Sequence, residues 1–134
     1  MPSHSYSYIP PSLRAQCTDV VDGDTITLFV DQGQRWYSHQ RYRLVTIDTY
    51  ELNATEPDKR ALAQKAKQQM TQWCNPTSIV GIVNLEFWPL RVVTHKSDSF
   101  GRWLVDLYFT DDEGIEHHAN AELLEAGLAV PYKR

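Results

Sequence analysis

The sequence predicts an α+β fold dominated by β-strands, in which five strands form a small barrel with packed α-helices. Three observations support this prediction. Ile26, Leu28 and Val30 alternate onto one face of a strand-like stretch. Apolar residues then recur at helical spacing over residues 56–73. Stretches rich in β-forming residues, separated by turn residues, return over residues 78–109. Periodicity alone leaves open other α+β arrangements of these elements.

Composition and charge exclude several classes of protein. The chain has 134 residues, of which 42% are hydrophobic and 22% charged, as in one globular domain rather than a disordered chain. No apolar run approaches the roughly 18 residues of a membrane span, so no membrane partner is expected. Thirteen basic and seventeen acidic residues give a net charge of −4, which argues against a broad basic surface for nucleic acid. A cation held by local carboxylates would still reverse the charge at a single site.

The N-terminal segment and the two cysteines allow further predictions about domain bounds, location and disulfide bonding. We expect residues 1–14 to be a flexible tail, because Ser, Tyr and Pro are frequent there, and residues 15–134 to be the folded domain. The tail lacks the pattern of a signal peptide, so the protein is either intracellular or a mature secreted form. Cys17 and Cys74 lack zinc-site spacing. We expect two buried thiols, with one disulfide as the alternative.

The first half of the chain predicts a three-stranded antiparallel meander followed by a helix. Stretches 17–21 and 25–30 flank the turn-prone Asp22-Gly23-Asp24, and residues 42–47 form the third strand after a polar segment. The helix is predicted over residues 56–73, with Thr55 as its cap in a Thr-x-x-Asp box and Pro57 in its first turn.

The second half predicts two more strands and a short helix. In order, the expected elements are a strand over 78–88, interrupted at Pro89 and resuming over 90–95, a strand over 102–109, a turn over 111–114, and a helix over 119–126 closed by Gly127. Five strands with one helix after the third and another after the fifth are typical of an OB-type barrel.

Four groups of residues are candidates for chemistry. They are Asp22-Gly23-Asp24-Thr25, the segment from Arg43 through Asp48 to Glu51, Phe100-Gly101-Arg102, and Tyr132. Taken singly, each has a simpler explanation: an Asp-Gly turn, acids leading into a helix, a solvated strand arginine. Together and in this order, they resemble the staphylococcal nuclease (thermonuclease) family over residues 15–132. That resemblance implies an OB-fold barrel and a Ca²⁺-dependent phosphodiesterase that acts on DNA and RNA, preferably single-stranded, as a monomer.

The resemblance also implies roles for individual residues. Asp24 and Asp48 would hold Ca²⁺ together with the backbone carbonyl of Thr49 and waters, since this cation prefers oxygen ligands. Asp22 would not bind the ion directly but would orient a water molecule that does. Glu51 would activate or position the attacking water.

Two arginines and two aromatic residues would meet the substrate. Arg43 and Arg102 would bind phosphate oxygens and stabilise transition-state charge, and Phe100 and Tyr132 would contact the nucleotide. Arg43 and Asp48 are five residues apart, so an uninterrupted strand would place them on opposite faces. We therefore predict a bulge or break between Val45 and Thr49.

Some positions depart from the family pattern. Tyr50 replaces the usual proline before Glu51, and Ser99 stands where a basic residue often precedes the aromatic residue. The segment between the second and third strands is longer than in the prototype, and its Arg35, Trp36, Tyr37 and His39 either contact nucleic acid or belong to an ordinary exposed hairpin.

Two other functions remain open. One is a catalytically inactive nuclease-like module that binds nucleic acid or protein. The other is an OB-fold single-strand binder, for which a basic groove would be expected instead of a carboxylate cluster.

Overall fold

The computed structural model describes residues 12–76, 84–96 and 101–132 of the chain. Its helices and strands are, in chain order, β1 (Ser12–Asp22), β2 (Thr25–Gly33), β3 (Trp36–Leu44), β4 (Ile47–Asp48), α1 (Pro57–Cys74), β5 (Leu90–His95), β6 (Trp103–Thr110), β7 (Glu116–His118), α2 (Ala119–Glu125) and β8 (Val130–Pro131). Neither helix is long and apolar enough, within these residues, to cross a membrane.

Five of the strands close into a mixed barrel. Antiparallel pairing runs in the order β3-β2-β1-β5-β6, and β3 pairs with β6 in parallel, which closes the barrel. With two helices packed on it, this is the β-dominated OB-type fold that the sequence predicts. Strands β4 and β8 form a separate two-stranded sheet, while β7 adds to β6.

The barrel interior follows from the alternation in β2. Ile26, Leu28 and Val30 are fully buried, as predicted, and Tyr42 and Leu44 of β3 lie beside them in the same core. Helix α1 covers this core with a face of small and flexible residues, Ala63, Ala66, Met70 and Cys74. The small side chains on that face allow the helix to approach the barrel closely.

The predicted thiols and the helix cap had different outcomes. Cys17 and Cys74 are buried and free, as expected, and the Cys17 thiol donates a hydrogen bond to the Asp19 carbonyl at 3.3 Å. The predicted Thr55 cap is wrong: the N-cap residue is Glu56, which makes no side-chain capping bond. The helix begins one residue later than the box requires, with Pro57, which needs no hydrogen-bond partner for its nitrogen, at its first position.

The strands are also longer than predicted, and one prediction is wrong. β1 begins at Ser12 and β3 at Trp36, so the polar segment before residue 42 is paired strand with one solvent-exposed face. Of the strand predicted over 78–88, residues 78–83 lie outside the described residues. Residues 84–88 form a turn instead, in which the Phe87 N–H donates to the Asn84 carbonyl at 3.2 Å.

Candidate functional site

The turn between β1 and β2 is held against helix α1 by the absence of a side chain at Gly23. A Cβ at this position would lie 2.5 Å from the Ala66 Cβ and 3.0 Å from the Thr49 Cγ2. Contacts this short do not occur between real side chains, so only glycine lets the turn, the helix and the Thr49 segment meet. The flanking acids Asp22 and Asp24 are thereby fixed in position.

Asp24 is a buried, ionised carboxylate. Its side chain accepts hydrogen bonds from the Thr49 N–H at 3.0 Å and the Thr25 hydroxyl at 3.2 Å. Burial raises the pKa of this carboxyl, but hydrogen bonds from the Asp22 carboxyl and the Thr49 N–H, with the positive charge of Arg43, outweigh it and bring the pKa below its usual value. Asp24 therefore carries a fixed negative charge in a dry environment.

Asp22 lies beside Asp24, and each of the two carboxyl groups shifts the pKa of the other. Its Oδ1 accepts a hydrogen bond from the Asp24 N–H at 3.1 Å. Burial and the neighbouring Asp24 raise the pKa of Asp22 to about 7. Below about pH 7, the proton on this pair of carboxyl groups thus resides on Asp22, while Asp24 stays ionised.

A break in the chain after β3 brings Asp48 to the same place. β3 ends at Leu44, Thr46 adopts a left-handed conformation (φ 67°), and β4 begins at Ile47. The predicted interruption between Val45 and Thr49 is confirmed. It allows Arg43 and Asp48 to meet, with Arg43 Nη2 at 2.7 Å from Asp48 Oδ1.

Arg43 lies between the two carboxylates. The same Nη2 that contacts Asp48 is 3.4 Å from Asp24 Oδ2. The Arg43 side chain is 14% exposed, Asp24 8% and Asp48 42%, so Asp48 forms the solvent side of the cluster. Burial raises the pKa of Asp48; Arg43 opposes this effect and Asp24 adds to it, and the net pKa is above the ordinary value.

The end of the described chain completes the cluster. β8 pairs with β4, and the Tyr132 N–H donates to the Thr46 carbonyl at 2.8 Å. The Tyr132 ring is 5.2 Å from the Arg43 guanidinium carbon, a cation–π distance. Tyr132 is 41% exposed and can meet a ligand that approaches Arg43.

Asn120 of α2, which belongs to none of the motifs in the sequence, supports the chain segment that follows Arg43. It is 1% exposed, and its amide donates to the carbonyls of Val45 at 2.9 Å and Val105 at 3.2 Å, while its oxygen accepts from the Leu107 N–H at 3.0 Å. These bonds attach α2 to the chain break after Arg43. A polar residue three positions before the buried Leu123, on the same helix face, was the available signal.

The remaining predicted residues are less closely associated with Arg43. Glu51 is exposed on the loop before α1, and its charge contributes to the raised pKa of Asp22. Arg102 immediately precedes β6, whose Leu104 pairs with Arg43 itself, so Arg102 lies at the edge of the same strand pair. Phe100 lies outside the described residues.

The acidic cluster has the donor chemistry for a hard cation, although its side chains alone do not form a metal site. In the described parts of the chain, no three acidic, histidine or cysteine side chains are grouped to hold a metal ion. Asp24 and Asp48 both contact one guanidinium, and they would supply two of the six to eight oxygens that Ca²⁺ takes. The rest would come from backbone carbonyls, such as that of Thr49, and from water.

The comparison with protein families agrees with this geometry. A family model described as "Staphylococcal nuclease homologue" matches residues 41–134, more than half of the chain. The match includes Arg43, Asp48 and Tyr132, while Asp22 and Asp24 precede it and reach the site through the β1–β2 turn. No curated protein matches the chain at a significant level. From its barrel and the matched segment, this chain belongs to the staphylococcal nuclease homologue family.

Proposed function

We propose that this protein hydrolyses phosphodiester bonds of DNA and RNA, preferably single-stranded, in a Ca²⁺-dependent reaction. One observation carries the proposal: a nearly buried Arg43 guanidinium lies between Asp24 and Asp48, with the Tyr132 ring beside it. A guanidinium presents paired donors that match two phosphate oxygens.

The charge balance of this cluster supports a cation requirement. A phosphodiester carries one negative charge, and it would have to bind Arg43 beside two carboxylates, where Arg43 and Asp24 are largely shielded from water and Asp48 is partly exposed. In such surroundings, repulsion between like charges is stronger than in bulk water. Asp24 and Asp48 would hold Ca²⁺, and the bound ion would supply positive charge that offsets theirs and polarises the phosphate.

Side chains of the protein would bind the phosphate, position the attacking water and contact the nucleotide. Arg43 binds the non-bridging oxygens, and Arg102, at the edge of the same strand pair, adds a second guanidinium to stabilise the transition-state charge. Glu51, exposed before α1, orients the attacking water or accepts its proton. Phe100 and Tyr132 contact the nucleotide next to the scissile bond.

The test is cleavage of single-stranded DNA and RNA by the purified chain in Ca²⁺ and in excess chelator. We expect cleavage only with Ca²⁺, and a loss of about 10²-fold or more in turnover for Arg43→Ala and Glu51→Ala. Lys65→Ala, which removes one exposed charge from α1, serves as the matched control and should retain wild-type turnover. Cleavage that persists in chelator would contradict the proposal.

The same experiment distinguishes the binding-only alternative. If the folded wild-type protein retained a labelled strand but released no fragments under any Ca²⁺ concentration, the catalytic part of the proposal would be wrong. The chain would then be a nucleic-acid-binding module of its family.

A further inference from the structure

A group of aromatic rings lies on the outer surface of the β2–β3 hairpin. The rings of Phe29 and Tyr37 are stacked at 5.1 Å, and the Trp88 ring lies nearly parallel to both, at 5.9 Å and 6.2 Å. The Arg14 guanidinium carbon is 4.7 Å above the Trp88 ring centroid. All three rings are only partly buried, and none belongs to the barrel core.

This aromatic group is continuous with the candidate active site. Side chains alternate between the two faces of a strand, and Tyr42 and Leu44 of β3 point into the core. Tyr37, His39, Arg41 and Arg43 therefore form a row on the opposite face of β3. The pairing of β2 with β3 places Phe29 opposite His39, and Thr25 opposite Arg43, so the row runs the length of the hairpin.

The charges along this row suit a polyanion. Arg41 is exposed, and within residues 12–76, 84–96 and 101–132 its guanidinium takes part in no hydrogen bond or ion pair. Asp31, at the aromatic end, is neutralised by Arg14 at 2.8 Å. His39 is also exposed and contacts the Thr18 hydroxyl at 2.9 Å. Unpaired positive charge thus lies between the aromatic rings and Arg43.

We propose that Tyr37, His39 and Arg41 of β3, with Phe29 and Trp88, form a track that binds a single strand of nucleic acid and leads it to Arg43. This inference rests on the proposed function and defines its substrate further. Bases would stack on the partly exposed rings, and Arg41 would contact a phosphate between them and the scissile bond. A duplex keeps its bases stacked inside, so it could not use the rings.

The length of the track predicts a minimum substrate length. Arg43 lies six positions after Tyr37, which at about 3.3 Å per residue is roughly 20 Å. A stacked strand advances about 3.4 Å per nucleotide, so the track spans about six nucleotides. A strand of three nucleotides would reach Arg43 without occupying the aromatic end.

The test is fluorescence anisotropy with labelled oligothymidylates of 3, 6 and 12 nucleotides, measured in chelator so that no strand is cut. We expect wild-type affinity to rise steeply between 3 and 6 nucleotides. Tyr37→Ala and Arg41→Glu should each weaken binding of the 12-mer about tenfold, with little effect on the 3-mer. Lys65→Glu, an equal charge change on exposed α1, is the control and should have a smaller effect.

The outcomes separate this inference from the proposed function. Equal binding by wild type, Tyr37→Ala and Arg41→Glu at all lengths would overturn the track, even if the enzyme cuts DNA with Ca²⁺. Length-dependent binding that requires Tyr37 and Arg41 would support the track, even if no cleavage is found. A 12-base-pair duplex whose binding also depends on Tyr37 would contradict the stacking of single-strand bases.

Discussion

Replacing Gly23 with alanine tests how the acidic turn is positioned. The new methyl group would lie 2.5 Å from the Ala66 Cβ and 3.3 Å from the Ala66 carbonyl carbon. Ala66 is a fully buried residue of α1, so neither the turn nor the helix can yield without disturbing the core. We expect Asp22 and Asp24 to shift relative to Arg43.

The loss of unfolding free energy in Gly23→Ala can be estimated from the cost of overpacking a core. Inserting a methyl group into a filled core costs about 1–3 kcal/mol of unfolding free energy. Ala66→Gly alone removes a buried methyl group and adds a helix glycine, which together cost about 2 kcal/mol. In the double variant the contact with the Ala66 Cβ no longer exists. The double variant should therefore lose about 1–2 kcal/mol less unfolding free energy than the two single variants lose in sum.

The assay is urea unfolding of the four proteins in this double-mutant cycle, followed by tryptophan fluorescence, with cleavage activity measured on each. We expect Gly23→Ala to lose activity and stability and Ala66→Gly to restore part of the activity in the double variant, whose loss of unfolding free energy should be smaller than the sum of the two single losses. Strictly additive losses would refute steric contact with Ala66 as the reason for glycine at this position.

Three further predictions concern other parts of the molecule. Asn120→Leu leaves the buried Leu107 N–H without its acceptor and removes the amide bond to the Val45 carbonyl, so it should lower the unfolding free energy by about 1–3 kcal/mol in urea titrations. A loss below about 0.5 kcal/mol would contradict the supporting role of Asn120. Hydrogen bonds to Asp111 and Glu122 raise the pKa of His117, so the stabilisation by protonated His117 is complete below the ordinary pKa of 6.5 and is lost as pH rises through the raised pKa. His117→Gln should therefore lower the unfolding free energy more at pH 6 than at pH 9. An equal loss at both pH values would show that these ion pairs do not stabilise the fold. Gln34 and Arg35 form the hairpin turn with φ of 53° and 63°. Asn and Gly adopt positive φ more readily, so Asn-Gly at these positions should raise the unfolding free energy by about 1 kcal/mol. A decrease would argue against the left-handed turn.

The barrel was predictable from sequence because its long strands and main helix have a clear period. Ile26, Leu28 and Val30 indicated the buried face of β2, and the five-residue spacing of Arg43 and Asp48 indicated the break between them. Strands β4 and β8 contain two residues each, too few for any period to appear. Their pairing, which brings Tyr132 to Arg43, depends on contacts between distant parts of the chain.

The parts of the site that sequence did not predict depend on three-dimensional packing. The sequence predicts a turn at Asp22-Gly23-Asp24, but the need for glycine comes from Ala66 on another element. The sequence marks segment 31–40 as polar, and it is compatible both with an ordinary exposed hairpin and with a nucleic-acid contact. Its strands are hydrogen-bonded, and its aromatic residues stack with Trp88, which is far away in sequence.

The metal site at Arg43 is tested most directly by calorimetric titration of Ca²⁺ into the protein together with a single-stranded oligonucleotide whose phosphorothioate linkages resist cleavage. We expect one ion per chain to bind in wild type, with affinity reduced at least tenfold in Asp24→Asn and in Asp48→Asn, because each removes a charged oxygen ligand. Unchanged Ca²⁺ affinity in both variants would contradict a metal-assisted phosphodiester site at Arg43.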